Sequence, residues 1–206
     1  MLKIWGRLNS ANVKKVVWAA QELALPFERI DVGGPFGGVN TPQFLALNPN
    51  GTIPVLEDDG FVLWESNAIV RYLASQYGDG SLYPADVRQR ADIERWLDWQ
   101  TTTFHPALVP AFLHLVRLPA AQRQPELAQA ARPKLEQLAA LLDAQLAERA
   151  YLTGDSFTIA DLVLGCSVHP WLNLPLERVE RPHLQRWYQA LRARPASAGV
   201  LTLPLS

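Results

Sequence analysis

The chain has 206 residues, of which 49% are apolar and 19% charged, with a formal net charge of −1 and a pI near 6.4. That balance fits a globular protein of one large or two modest domains. It carries no basic footprint for nucleic acid, and no apolar run approaches the length of a membrane span. A single cysteine, Cys166, excludes an internal disulfide framework and a Cys-x-x-Cys redox pair, which fits a reducing cytoplasm.

The opening residues, Met1 to Trp5, read as a strand and not as a signal peptide. Residues 10 to 24 read as a helix with Val13, Val16, Val17, Ala20 and Ala24 on one face. Leu25-Pro26 ends it, and a second strand runs from Phe27 to Val32. A glycine-rich loop, 33 to 38, lacks the Lys-Ser/Thr of a phosphate loop. A short helix over 42 to 47 precedes a turn at Asn50-Gly51, and Ile53-Pro54 opens an apolar strand. Asp59-Gly60 supplies the positive-φ tip of a hairpin. Glu65 and Ser66 then stand at the mouth of a helix over 66 to 77, patterned by Ile69, Val70 and Leu73.

The resulting β-α-β-α-β-β-α order implies a mixed four-stranded sheet, the order of a thioredoxin-like domain. This domain is assigned to 1–78, with a linker at 79–85 rich in turn residues. The rest, 86–206, reads as an all-helical bundle. A helix over 86 to 104 leads into Pro106 and Pro110, which are expected to kink or interrupt its continuation. Leu135, Leu138, Leu142 and Leu146 form an apolar stripe within 123 to 148. Thr158 to Asp161 has the form of a capping box, with Phe157 placed to staple onto Leu162, and opens a buried helix over 158 to 169. A last helix covers 182 to 194, followed by a tail over 195 to 206. Within that capping box, Asp161 is read as the residue that reaches back to the N–H of the cap. Cys166, inside the buried helix, is read as inert. His105, His114, His169 and His183 show no metal-ligand spacing, so no metal is expected.

Asn48 to Leu56, followed by Leu63 to Ile69, resembles the glutathione-binding half of cytosolic glutathione transferases, and the similarity runs over the whole chain. The resemblance implies a serine-type enzyme of the bacterial, theta/phi-like kind. In such enzymes the catalytic serine starts the first helix, with a basic residue four positions on and a valine two later. Ser10, Lys14 and Val16 match that spacing. A hydroxyl donated to a thiolate lowers its pKa, and the positive end of a helix adds to the effect. The same serine is equally placed to be an N-cap. Asn12 is a second candidate for the donor role. No tyrosine precedes Tyr72 and no cysteine precedes Cys166, which speaks against tyrosine- and cysteine-type enzymes.

The resemblance also implies a cis Ile53-Pro54 bond whose backbone pairs with an extended peptide. It implies Glu65 as acceptor for the γ-glutamyl ammonium, and Ser66 with nearby helix N–H groups as the hold on the α-carboxylate. Thr52 departs from the lysine or glutamine of many relatives and is too short to reach the glycyl carboxylate, which falls to Asn40 or the glycine-rich loop. A pocket for a hydrophobic second substrate is expected between the domains, walled by Leu8, Trp99, Gln100, Thr103 and Phe112. The implied activity adds the glutathione thiolate to a small hydrophobic electrophile. Glutathione is a substrate, and no further cofactor is called for. Peroxidase, isomerase or dehalogenase chemistry, and a non-catalytic ligand-binding or assembly module, are the alternatives. A homodimer is expected through the helices at 66–77 and 86–104, with Arg71, Arg88 and Arg95 facing acids such as Asp92.

Overall fold

The computed structural model describes residues 1–205. Four strands, β1 (Leu2–Trp5), β2 (Phe27–Ile30), β3 (Val55–Asp58) and β4 (Phe61–Trp64), form one sheet in the order β2-β1-β3-β4. β1 runs parallel to β2 and antiparallel to β3, and β4 closes the β3 hairpin with Val55 opposite Trp64. Asp59 and Gly60 at the tip both have positive φ, as a tight hairpin with matched strand twist requires. Helices α1 (Ala11–Glu22) and α3 (Ser66–Tyr77) cover one face, and α2 (Pro42–Leu47) covers the other. Leu2, Ile4 and Leu56 join the large core on the first face. On the second, Val32, Phe44 and Val55 form a smaller one with Trp5 and Ile30. This is the thioredoxin-like arrangement of a mixed sheet between helices.

Five more helices follow: α4 (Val87–Trp99), α5 (His105–Phe112), α6 (Pro125–Gln145), α7 (Ile159–Asn173) and α8 (Pro182–Arg192). Of the expected tail, 195–197 is a 3₁₀ turn, and Ser206 lies outside the described residues. No helix among the described residues is long and apolar enough to cross a membrane.

Two expectations are refined. The interruption expected at Pro106 and Pro110 is a change of helix type ahead of Pro106, and the run that starts at Val87 stays helical through both prolines. A π-helical turn, Gln100–Phe104, precedes Pro106, and a second, Leu113–Arg117, follows α5. A proline clashes with the carbonyl four residues back, and a wider turn opens that space. The buried helix α7 also runs four residues past the expected end, through Pro170 to Asn173.

Helix α7 binds the two halves together. Its cap is built as anticipated: Thr158 Oγ1 accepts from the Ala160 N–H, and Asp161 Oδ2 accepts from the Thr158 N–H at 3.0 Å. Asp161 Oδ1 also accepts from the Leu152 N–H and from Trp187 Nε1, both at 2.9 Å. Phe157 packs tilted against Trp18 and edge-on to Tyr151, both at 5.8 Å, and lies under the Arg194 guanidinium, contacts that the expected staple onto Leu162 did not include. Gly165 lets α1 approach: a Cβ there would stand 2.7 Å from Leu191 Cδ1 and 3.1 Å from Trp18 Cζ3. Helix α1 is consequently buried on nearly every side, with Val13 through Ala20 all out of solvent.

Candidate active site

The start of α1, the Ile53-Pro54 turn and the start of α3 meet at one end of the sheet, where β1 finishes and β3 begins. The Ile53-Pro54 bond is cis. Gly6, at φ +146°, ends β1 in a conformation open to glycine, and a Cβ there would lie 2.5 Å from Val13 Cγ2 and 3.2 Å from Ile53 Cβ. Thus the absent side chain brings the turn against the first helix. Pro54 is buried and Ile53 half-buried beside it. Glu65 and Ser66 follow the hairpin directly. Glu65 is exposed and held at φ +74°, a conformation that a non-glycine residue keeps only where its surroundings dictate it. Ser66 is buried at the first position of α3 and donates its hydroxyl to Asn12 Oδ1 at 3.3 Å. That bond ties the two helix mouths together and leaves the Asn12 Nδ2 end directed elsewhere.

Ser10 precedes α1 in extended conformation (φ −78°, ψ 127°), and its hydroxyl makes no bond to the helix N–H groups. Its backbone carbonyl accepts from the Lys14 N–H at 2.9 Å. Ser10 and Asn12 open onto a cavity of about 210 Å³ that runs between the start of α1, helix α5 and the second half of α7. Leu108, Val109, Phe112 and Pro170 give it apolar walls, while Lys14, His105 and His169 give it polar ones. Burial lowers the pKa of the Lys14 ammonium and of His105, the latter helped by Lys15. His169 is bonded through Nδ1 to the Tyr188 hydroxyl (2.6 Å) and through Nε2 to the Leu203 carbonyl (3.2 Å), and burial holds its pKa down near 4. Burial pushes the Cys166 thiol up to about 12, so at neutral pH it is no nucleophile.

Of the residues expected to wall the second-substrate pocket, Phe112 lines this cavity and the others lie elsewhere. Trp99 stacks edge-on against Trp96 at 5.4 Å and near Phe104 at 5.6 Å, and Leu8 packs on the main core. Thr103 sits in the π turn beside Thr102. Gln100 is 1% exposed and engaged in a buried network with Lys15 and Ser167. Leu8 and Trp99 precede the π turn and are held by those core and ring contacts, whereas for the residues from Thr103 onward the physical reason is the turn itself. The expected face assumed an unbroken 3.6-residue period, and the wider turn at 100–104 rotates the helix beyond it. The face that reaches the cavity is His105, Leu108, Val109 and Phe112, an i, i+3, i+4, i+7 set on α5. That spacing was present in the sequence and was missed, as were Lys14 and His169 as lining residues.

Thr52 and Asn40 are exposed residues, Thr52 in the turn just before the cis bond. Asn48, almost fully buried, donates through Nδ2 to the Thr52 carbonyl (2.8 Å) and hydroxyl (3.2 Å), which fixes the loop before the cis bond. The Asn40 side chain approaches Gly51, whose positive φ makes the turn. Among the described residues no group of three or more His, Cys, Asp or Glu is arranged to hold a metal ion.

Comparison with known proteins agrees along the whole chain. A family model described as glutathione S-transferase, N-terminal domain, matches residues 9–76, and one for the glutathione S-transferase C-terminal domain matches 101–195. The chain is 43% identical to glutathione S-transferase GstB of Escherichia coli, over the full length of both. It is 40% identical to glutathione S-transferase 3 of Zea mays, covering 99% of this chain and 95% of that one. Among solved structures, a theta class glutathione S-transferase from Xanthomonas axonopodis pv. citri, crystallised with glutathione bound, superposes with a TM-score of 0.95. It is 46% identical, covering 100% of this chain and 99% of that one.

Proposed function

The chain belongs to the glutathione S-transferase family, and from that premise we propose how its residues divide the reaction. The enzyme adds the thiolate of glutathione to a small electrophile. Glu65 accepts the γ-glutamyl ammonium, and Ser66 with the first N–H groups of α3 holds the α-carboxylate. The backbone of Ile53, before the cis proline, pairs with the cysteinyl unit as an added strand does. Ser10 donates its hydroxyl to the sulfur, with the Asn12 amide as a second donor. Thr52 and Asn40 border the glycyl end. The segment 1–78 serves as the glutathione-binding domain, 79–85 as the linker, and 86–206 as the domain that supplies the electrophile's pocket.

One observation carries this reading. The Ser10 hydroxyl has no helix-capping partner and stands at the mouth of a cavity, while Ser66 is tied back to the same helix through Asn12. A donor at a helix start, unengaged and facing a partly apolar cavity, suits a thiolate that must meet an apolar electrophile. The cavity's size, about 210 Å³, lies below the roughly 300–1,000 Å³ of drug-sized sites and favours a compact second substrate. The reaction needs no metal: the thiol proton leaves to solvent, the sulfur bonds to the electrophilic carbon, and the leaving group or ring oxygen departs with the displaced pair.

Glutathione titration by calorimetry, with a conjugation assay on aromatic halide and epoxide electrophiles, tests the scheme. Glu65→Gln should weaken glutathione binding about tenfold or more, the loss of one charge-assisted bond, with the fold intact. Equal affinity in that variant refutes the γ-glutamyl assignment. Binding without conjugation of any electrophile would instead favour a ligand-binding module.

We also assign the enzyme to the cytoplasm as a homodimer, on the strength of its single buried cysteine and its family. Of the three arginines first expected to cross the dimer axis, Arg71 and Arg95 have partners in their own chain: Arg71 with Asp98 at 3.4 Å and Arg95 with Asp92 at 2.5 Å. The homodimer assignment therefore rests on the family alone. A monomer in sedimentation at micromolar concentration overturns it.

A further inference from the structure

Beneath the γ-glutamyl anchors lies a buried cation. Lys15 is 2% exposed, and its ammonium donates to Gln100 Oε1 at 2.9 Å, Asn67 Oδ1 at 3.1 Å and Ser66 Oγ at 3.5 Å. Gln100 passes the chain on through Nε2 to Ser167 Oγ at 2.9 Å, and Asn67 Nδ2 donates to Thr101 Oγ1 at 3.0 Å. All three partners of the ammonium are neutral. The titratable groups around it are Glu65 just before α3, His105 from α5, Cys166 from α7 and Lys14 on its own helix. Glu65 is the one carboxyl group among them, and it lies at the surface without a bond to Lys15. Burial draws the Lys15 pKa down to about 8, against the pull of Cys166 and Glu65.

A lysine buried among neutral oxygens is costly unless an anion completes it. The ammonium donates onto Ser66 Oγ, which leaves the Ser66 hydroxyl proton as the group to be given away. In the structure that proton goes to Asn12 Oδ1. We propose that Lys15 is the buried counter-charge of glutathione's γ-glutamyl carboxylate, acting through Ser66, whose hydroxyl it orients toward the substrate. The inference rests on the assignment of Ser66 to that carboxylate. Lys15 touches no reacting atom and is a positioning residue. When the carboxylate arrives, the Ser66 hydroxyl turns from Asn12 to it, the ammonium's field acts through a poorly screened interior, and Asn12 is released toward the sulfur.

Linkage fixes the sign. An anion bound nearby raises the Lys15 pKa above its value in the free protein, so binding takes up a proton once the pH nears that value. Affinity is fully present below it and falls as the pH rises, by up to about tenfold per unit, until the liganded pKa is passed.

S-methylglutathione is the probe, since its blocked sulfur does not titrate. Calorimetry from pH 6.5 to pH 9.5, on the native chain and on Lys15→Met, Lys15→Arg and Ser66→Ala, separates the terms, because Glu65 and the ligand amine are common to all four. Lys15→Met should bind about tenfold more weakly at pH 7, with the gap closing toward high pH. Lys15→Arg, whose charge does not titrate, should keep its affinity at high pH. The lysines are only Lys3, Lys14, Lys15 and Lys134, so the Lys15 ε-carbon can be followed by NMR in the unmutated protein. Its midpoint should rise by about one unit or more on saturation. A midpoint that does not move overturns the inference even if every variant unfolds. If Ser66→Ala binds as tightly as the native chain, the γ-glutamyl assignment falls, and the role of Lys15 with it. If Ser66→Ala is weakened while the Lys15 midpoint stays fixed, the Lys15 inference falls alone.

Discussion

Replacing Ser10 with alanine separates two roles that the sequence leaves together. A capping serine lost from a helix start costs about 1 kcal/mol, or about 2–4 °C of melting temperature in a chain of this size. Here the hydroxyl makes no capping bond, so Ser10→Ala should move the melting temperature by less than about 2 °C. The chemical role predicts a large change instead. One hydroxyl bond to a thiolate is worth about 1.5–3 kcal/mol, or about one to two pKa units. The bond favours the charged form, so its loss raises the pKa of bound glutathione. Thiolate absorbance of the complex against pH reads the shift directly. If thiolate fraction limits the rate, turnover near pH 7 should drop about ten- to a hundredfold, and the rates of variant and native enzyme should converge above the shifted midpoint. An unmoved thiol pKa in a folded variant would pass the donor role to Asn12, whose Oδ1 already accepts from Ser66 and whose Nδ2 is the remaining end. A melting temperature lowered by several degrees, with the pKa unmoved, would return Ser10 to capping alone.

Two further predictions concern stability. Asp161→Ala strips the acceptor from the Leu152 and Thr158 N–H groups and from Trp187 Nε1, so urea unfolding should show a loss of about 3–5 kcal/mol. A loss under about 1 kcal/mol would mean that water reaches these donors. His169 is held neutral to about pH 4, whereas in the unfolded chain it takes its proton near the usual value of about 6.5. The unfolded state therefore binds more protons between these values, and His169 lowers stability by about 3 kcal/mol as the pH falls from 6.5 to 4. Urea midpoints across that range, compared with those of His169→Gln, should show the variant lacking this part of the acid sensitivity.

Local chemistry was the legible part of the chain. Asp59-Gly60 named its turn because a hairpin tip needs positive φ at both positions, and both have it. Thr158 and Asp161 named their cap because a hydroxyl and a carboxylate three residues apart satisfy each other's backbone donors. In each case the residues that decide the geometry are neighbours in sequence, so the pattern and its cause occupy the same few positions. The run from Val87 to Arg117 defeated the same reasoning. Its prolines read as a kink or an interruption, and the interruption takes the form of a widened turn ahead of Pro106 that accommodates the ring and lets the helix continue. Nothing in residues 100 to 104 announces a π turn, yet it decides which side chains meet the cavity.

The buried network around Lys15 was hidden for a deeper reason. On a helical wheel, a lysine marks the face turned to water, and Lys14 and Lys15 beside Val13, Val16 and Val17 draw such a face. That inference holds only for a helix with one partner. Helix α1 has the sheet and α3 on one side and α7 on the other, brought close by Gly165, so Lys14 and Lys15 are enclosed as fully as the valines beside them. An enclosed lysine must find oxygens, and they come from Ser66, Asn67 and Gln100, which lie 51 to 85 residues away along the chain. Their juxtaposition is a product of the tertiary fold. Gln100 was therefore expected in a pocket wall, as a polar residue on a buried face, when its amide is the bridge from the Lys15 ammonium to Ser167. The polar residue that looked out of place in a buried helix thus lies directly under the residues expected to take a substrate carboxylate. Such an arrangement is costly by itself and becomes favourable when an anion binds.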